Sequence, residues 1–94
     1  MEFEWDEAKD VENRAKHRLA LGDSVLLDWV GAKAVADGRA DYGEVRQLAY
    51  AYLDGRMHTC VFTLRDGVRR IISLRKSNIR EIRDHGTATE TPPD

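Results

Sequence analysis

A chain of 94 residues has room for one domain with a single modest core, one that removes roughly 60–65% of its unfolded surface from water. No apolar run approaches the ~18 residues of a membrane span, and the acidic start Met1-Glu2-Phe3-Glu4 argues against a secretory or mitochondrial leader. The single cysteine, Cys60, rules out an internal disulfide and a cysteine-based zinc site and suits a reducing cytoplasm.

The net charge of −2 conceals an asymmetry. Residues 1–53 carry 7 Lys/Arg against 11 Asp/Glu, residues 54–85 carry 8 against 4, and residues 86–94 add 2 more acids. Seven of the eight basic residues in the middle block are arginines. Arginine grips a phosphate through a planar fork of two hydrogen bonds, which lysine cannot do, so this block is a candidate anion surface as well as a solvated face.

In chain order, Phe3-Glu4-Trp5 alternates apolar and polar and predicts an edge strand. Asp6 is placed to cap a helix, with Glu7 and Asp10 in its first turns and Lys16-His17-Arg18 at its negative end. Ala8, Val11, Ala15 and Leu19 recur along it at helical spacing. Asp23 is placed to cap a second short helix through Val25, Leu26, Leu27, Trp29 and Val30, antiparallel to the first. Residues 31–43, with Gly31, Gly38 and Gly43, predict a loop with a short strand near Lys33–Ala36. The pattern then changes to three strands, Arg46–Leu53, Met57–Leu64 and Val68–Leu74, joined at Asp54-Gly55 and Asp66-Gly67, both strong signals for tight hairpins. Ser77-Asn78 opens a last helix, Ile79–His85, that stops at Gly86. Residues 1–86 therefore form one expected domain, and residues 87–94, with Pro92-Pro93, a flexible tail.

Two tight turns fix a sheet on paper. The first pairs Leu53 with Arg56, Ala51 with His58, Ala49 with Cys60, Leu48 with Val61, Arg46 with Thr63 and Glu44 with Arg65. The second pairs Leu64 with Arg69, Thr63 with Arg70, Val61 with Ile72, Cys60 with Ser73 and His58 with Arg75. Opposed residues share a face. One face then carries Glu44, Arg46, Arg65 and Arg70, followed by Leu48, Val61, Ile72, Tyr50 and Leu74. The other carries Ala49, Ala51, Cys60, Phe62 and Ile71, with His58 beside Arg75. A slip of one residue would reverse these assignments.

Glu44 among Arg46, Arg65 and Arg70 is an arrangement that metal-free phosphodiester cleavage can use. The arginines would hold the phosphate and offset its added charge, and the glutamate would take a proton from a ribose 2′-OH. The same residues also describe a cross-strand ion pair flanked by solvated arginines, worth ~0–1 kcal/mol. His58 beside Arg75 is a second candidate for proton transfer, set against an ordinary histidine at the sheet rim. His17 with Lys16 at a helix end is a third, set against a helix-dipole contact. Three scattered histidines without neighbouring carboxylates point to no metal site. Arg75 to Arg80 span a strand-to-helix junction that can hold a phosphate or simply be capped by Ser77 or Asn78. Trp5, Trp29, Tyr50, Tyr52 and Phe62 are expected in the core.

Taken together these segments resemble the BrnT toxin family. Phe3-Glu4-Trp5-Asp6-Glu7 with Lys9, Asn13 with Lys16-His17, and Tyr42-Gly43-Glu44 with Arg46 are similar to its first half. Asp54-Gly55-Arg56, Val61-Phe62-Thr63 with Arg65 and Gly67, and Arg70-Ile71-Ile72-Ser73 with Arg75-Lys76 are similar to its second half. The motifs are short, and their order and spacing from residue 2 to about residue 81 carry the likeness. The chain departs from the family after its Lys-His pair, where it reads Arg18-Leu19-Ala20-Leu21-Gly22-Asp23.

The resemblance implies an α+β, RelE-like fold: two N-terminal helices, an antiparallel sheet of about four strands and one C-terminal helix. It implies a cytoplasmic endoribonuclease toxin that needs no metal or cofactor and arrests translation. It also implies a BrnA-like ribbon-helix-helix antitoxin, through which alone the pair would reach operator DNA. The family pattern matches at Lys16, His17, Glu44, Arg46, Arg65, Arg75 and Lys76. Arg65, Arg75, Glu44, His17 and His58 are the expected catalytic residues, with Arg65 and Arg75 clamping one phosphate. Lys16, Arg46, Arg70 and Lys76 are the expected RNA contacts. His58 falls in no motif and rests on the paper sheet alone. A reading of a different class makes the chain a non-catalytic co-repressor for a DNA-binding antitoxin.

Overall fold

The computed structural model describes residues 2–38 and 44–86. Tyr42 and Gly43 of the motif, and the tail from residue 87, lie outside the described residues. The elements run β1 (Glu2–Trp5), α1 (Glu7–His17), a 3-10 helix (Leu21–Leu26), β2 (Lys33–Ala36), β3 (Gln47–Leu53), β4 (Arg56–Arg65), β5 (Val68–Lys76) and α2 (Ile79–His85). The strands form one five-stranded sheet in the order β1-β5-β4-β3-β2. The sheet is mixed, where an antiparallel sheet of about four strands was expected. β1 lies parallel to β5, with Phe3 opposite Arg69 and Trp5 opposite Ile71. The long excursion through α1 and β2–β4 gives the chain the crossover length that parallel pairing needs.

α1 forms where its cap predicts it. The Asp6 carboxylate accepts from the N–H groups of Ala8 at 2.8 Å and Lys9 at 3.2 Å. Arg18 ends the helix in the left-handed region at φ 60°. The buried face is not the apolar one, since Ala8, Val11 and Ala15 are exposed and Asp10 and Asn13 are buried. Both are anchors. Asp10 accepts from Leu21 N–H at 2.7 Å. The Asn13 carboxamide accepts from Leu74 N–H at 3.0 Å and donates to Leu74 C=O at 2.9 Å. It also donates to Leu19 C=O at 2.8 Å. One side chain thus supplies the hydrogen bonds of a neighbouring strand at a point on β5 beyond its pairing with β1.

The expected second helix is a short 3-10 helix that starts earlier. Its entry is fixed by Asp23, which accepts from Ala20 N–H at 3.1 Å rather than capping a helix ahead of it. Leu21 and Leu27 are buried there, whereas Val25, Leu26 and Val30 are exposed.

Both Asp-Gly turns have two residues at positive φ: Asp54 at 51° and Gly55 at 76°, Asp66 at 51° and Gly67 at 80°. This is the twist-matched two-residue hairpin. β3 and β4 pair as the first turn dictates, from Leu53 with Arg56 to Leu48 with Val61. β4 and β5 follow the second turn only from Arg65 with Val68 to Phe62 with Ile71; then Ile72 is skipped and Val61 pairs with Ser73. This β-bulge corrects the paper sheet. Cys60 pairs with Leu74, Thr59 with Arg75 and His58 with Lys76.

The bulge decides the faces. Leu74 joins Ala49, Ala51, Cys60, Phe62 and Ile71 in the main core, under Leu21 and Leu27 and beside Trp5 and Trp29. On the other face α2 packs Ile82 against Tyr50 and Met57. Burial of Cys60 in the main core pushes its thiol up to about 12, which makes it a packing residue.

Candidate active-site groove

The C-terminal half of α1 overhangs the α2 side of the sheet and leaves a groove of about 260 Å³. Lys9, Glu12, Asn13, Lys16 and His17 line it from the helix, Arg46 from the approach to β3, Val61 from β4, and Ile72 and Ser73 from the bulge of β5. Lys9, Glu12, Asn13 and Lys16 recur at helical spacing, so one face of α1 presents two cations and one carboxylate while Asn13 holds it to the sheet. Among the described residues no group of three His, Cys, Asp or Glu has a metal-holding arrangement, and no helix is long and apolar enough to cross a membrane.

His17 lies in this groove, where burial, then Arg75, then Lys16 hold its imidazole below the ordinary 6.5. It is therefore neutral at pH 7 and able to accept a proton. Arg75 reaches this side of the sheet because of the bulge. It donates to Glu81 in a bidentate pair, Nη1 to Oε1 at 2.7 Å and Nη2 to Oε2 at 2.9 Å. Burial raises the Glu81 carboxyl, but Arg75 and the Asn78 N–H outweigh this and leave it below the usual glutamate range. Glu81 also accepts from Asn78 N–H at 2.9 Å in the capping box of α2. The guanidinium is thus locked in position, with further donors available to a ligand.

Glu44 accepts from Arg65 Nη2 at 2.9 Å and stands 3.7 Å from Arg46 Nε. The hydrogen bond from Arg65 leads the effects that hold its carboxyl below the usual range, with Arg46 and Arg70 adding to it. It is a strong ion partner and a weak base. Arg70 faces Glu4 of β1 at 3.5 Å. Of the expected residues, Lys16, His17 and Arg46 line the groove, Arg75 stands close enough to act on His17, and Glu44 links Arg46 to Arg65.

Two expectations change. Arg65 and Arg75 share a face, but β4 runs from Thr59, opposite Arg75, to Arg65. That separates the two by roughly 20 Å of strand at ~3.3 Å per residue, so they are two stations along a surface rather than the two jaws of one clamp. His58 and Lys76 sit on the opposite face, because the bulge pairs His58 with Lys76 and not with Arg75. His58 is buried, and its Nδ1 donates to Arg56 C=O at 2.8 Å. Burial holds its imidazole below the ordinary value. Sequence reasoning missed Ser73, which a regular ladder would turn into the core, and the role of Ile72 as the skipped residue.

Residues 5–81 match the model of a family described as the ribonuclease toxin BrnT of type II toxin–antitoxin systems. The crystal structure of the Brucella abortus ribonuclease toxin BrnT is similar to the chain at a TM-score of 0.65 and 27% identity, over 83% of this chain and 97% of that one. A search of curated proteins gave no match.

Proposed function

The chain belongs to the BrnT family of ribonuclease toxins of type II toxin–antitoxin systems, and from that membership we propose that it cuts RNA without a metal ion in the groove beneath α1. Neutral His17 takes the proton from a ribose 2′-OH. The freed oxygen attacks the adjacent phosphorus, the bond to the 5′ oxygen breaks, and that oxygen takes a proton from solvent. The products are a 2′,3′-cyclic phosphate and a 5′-hydroxyl. Arg75 and Arg46 stabilise the charge that gathers on the phosphate. Lys16 holds the strand near the reacting bond. Arg65 and Arg70 steer it from the far end of the sheet, and Glu44 keeps Arg46 and Arg65 in place. His58 and Lys76 take no part.

The toxin acts in the cytoplasm and stops translation until a BrnA-like ribbon-helix-helix antitoxin neutralises it; the pair contacts operator DNA through that antitoxin. The observation that carries the enzymatic reading is the position of His17 in a groove where Lys9 and Lys16 of α1 face Arg46 across the sheet, with Glu12 the one carboxylate among the described lining residues.

The test is cleavage of RNA by the purified chain in excess chelator, with end-group analysis and a pH profile. Cleavage persists and leaves cyclic phosphate ends. Its rate falls as pH drops through a value below 6.5, where His17 becomes protonated. His17→Ala, checked for native fold by circular dichroism, lowers kcat by about 10²–10⁴-fold. Loss of activity in chelator overturns the metal-free chemistry, and a fully active His17→Ala protein moves the base elsewhere. A folded chain with no cleavage at all favours the co-repressor reading.

A further inference from the structure

On the core face of the sheet, away from the groove, Arg69 has no carboxylate partner among the described residues, although its neighbour Arg70 faces Glu4. Its guanidinium carbon lies 3.9 Å from the centre of the Trp29 ring, 5.6 Å from Phe3 and 5.9 Å from Phe62. The rings brace one another, with Trp29 edge-on to Phe62 at 5.4 Å and tilted on Phe3 at 5.8 Å. The Nε is buried without an acceptor. Stacking on three rings has already removed most of the freedom of this side chain, so a ligand that meets it loses little more.

Arg69 closes one end of a cleft of about 180 Å³. The cleft crosses the sheet from Ala34 on β2 over Ala49 and Phe62, with Leu64 on its wall and Trp29 above. Among the described residues Ala32, Ala34 and Ala49 leave room in it, and Arg69 is the one charged group that lines it.

The geometry points to this cleft as the docking site of the antitoxin, with an acidic residue of the antitoxin held by Arg69 and an apolar side chain beside it seated against Ala34, Ala49 and Leu64. It rests on the family membership, which implies an antitoxin partner. The ligand is a carboxylate rather than a nucleic-acid backbone because phosphates along a strand are matched by several cations, and the described residues of this cleft offer one among neutral neighbours. Tightly packed arginine and tryptophan are the side chains that most often dominate protein–protein binding.

The test is calorimetric titration of the chain with a purified BrnA-like antitoxin that neutralises it, as wild type, Arg69→Met and Leu64→Glu, with RNA cleavage measured in parallel. Arg69→Met keeps the apolar stem over the rings and removes the charge. Leu64 is 49% exposed, so Leu64→Glu places a repelling carboxylate in the cleft of a folded chain even if Arg69→Met does not fold. Both variants weaken antitoxin binding roughly thirtyfold or more and leave cleavage close to wild type. Unchanged antitoxin affinity in Leu64→Glu overturns the docking site, as does a wild-type chain that fails to bind the antitoxin. Loss of RNA binding in Arg69→Met with antitoxin affinity intact also overturns it and makes the cleft an RNA surface. A wild-type chain that binds the antitoxin but cuts no RNA sinks the ribonuclease reading and leaves the docking result standing.

Discussion

The two hairpins begin from the same Asp-Gly turn and end differently. β3 and β4 run in step from Leu53 and Arg56 to Gln47 and Phe62. β4 and β5 run in step from Arg65 and Val68 to Phe62 and Ile71, and then β5 carries one residue more than its partner. The turn sets the register only as far as the first bulge, and beyond it the inward and outward positions of β5 exchange. Leu74 turns into the core and Arg75 turns out beside His17. The ordered hairpin sets Ala49 and Ala51 in the core; the irregular one turns Arg75 toward His17.

The comparison is broken or sharpened most strongly at Arg75 and Lys76, which are adjacent in the chain and on opposite faces of the sheet. Arg75→Ala lowers RNA cleavage by about 10²–10³-fold, whereas Lys76→Ala leaves it near wild type, both measured by single-turnover kinetics. Equal losses would mean that the faces are not separated as the bulge requires.

The next effect is on stability. Leu74 is 0% exposed, and Leu74→Ala costs about 2–5 kcal/mol in denaturant unfolding because it empties a core site. An unbroken ladder would place Leu74 in the groove, and truncation would then be nearly free. The smallest effect is at the turns. Gly55→Ala and Gly67→Ala each cost about 1–2 kcal/mol, since both demand a left-handed backbone. The two values should agree within error in the same unfolding experiment. A clear inequality would show that the turns are not equivalent and that the second hairpin is loosened from its tip.

Most of the fold was legible from local chemistry. Asp6 announced α1, the Asp-Gly pairs announced both hairpins, and Ser77-Asn78 announced α2 at the residues where it begins. Those signals live in a few adjacent residues. The bulge does not, because Ile72 is as good a strand residue as Ile71, and only packing of Leu74 beneath the 3-10 helix chooses which of them is passed over. The parallel pairing of β1 was hidden for a similar reason, since a four-residue strand carries no mark of its partner.

The Ala8–Val11–Ala15 spacing signalled a helix correctly while its polar side went inward, because Asp10 and Asn13 had backbone groups to satisfy there. Of the candidate site, the arginine-rich half and the Lys16-His17 pair could be read from the chain. That Arg46, Arg65 and Arg70 share a face with Glu44 was legible too; that Arg75 joins this face was not, because it lies beyond the bulge.

Asn13 carries one last consequence. A strand with open rungs invites any other extended chain to dock on it, whether a neighbouring molecule or a misfolded stretch of its own. At Leu74 both rungs are already taken by a carboxamide. The same short side chain that hangs the helix over the groove therefore also bars that stretch of β5 from intruders, guarding against self-association at the edge nearest the groove.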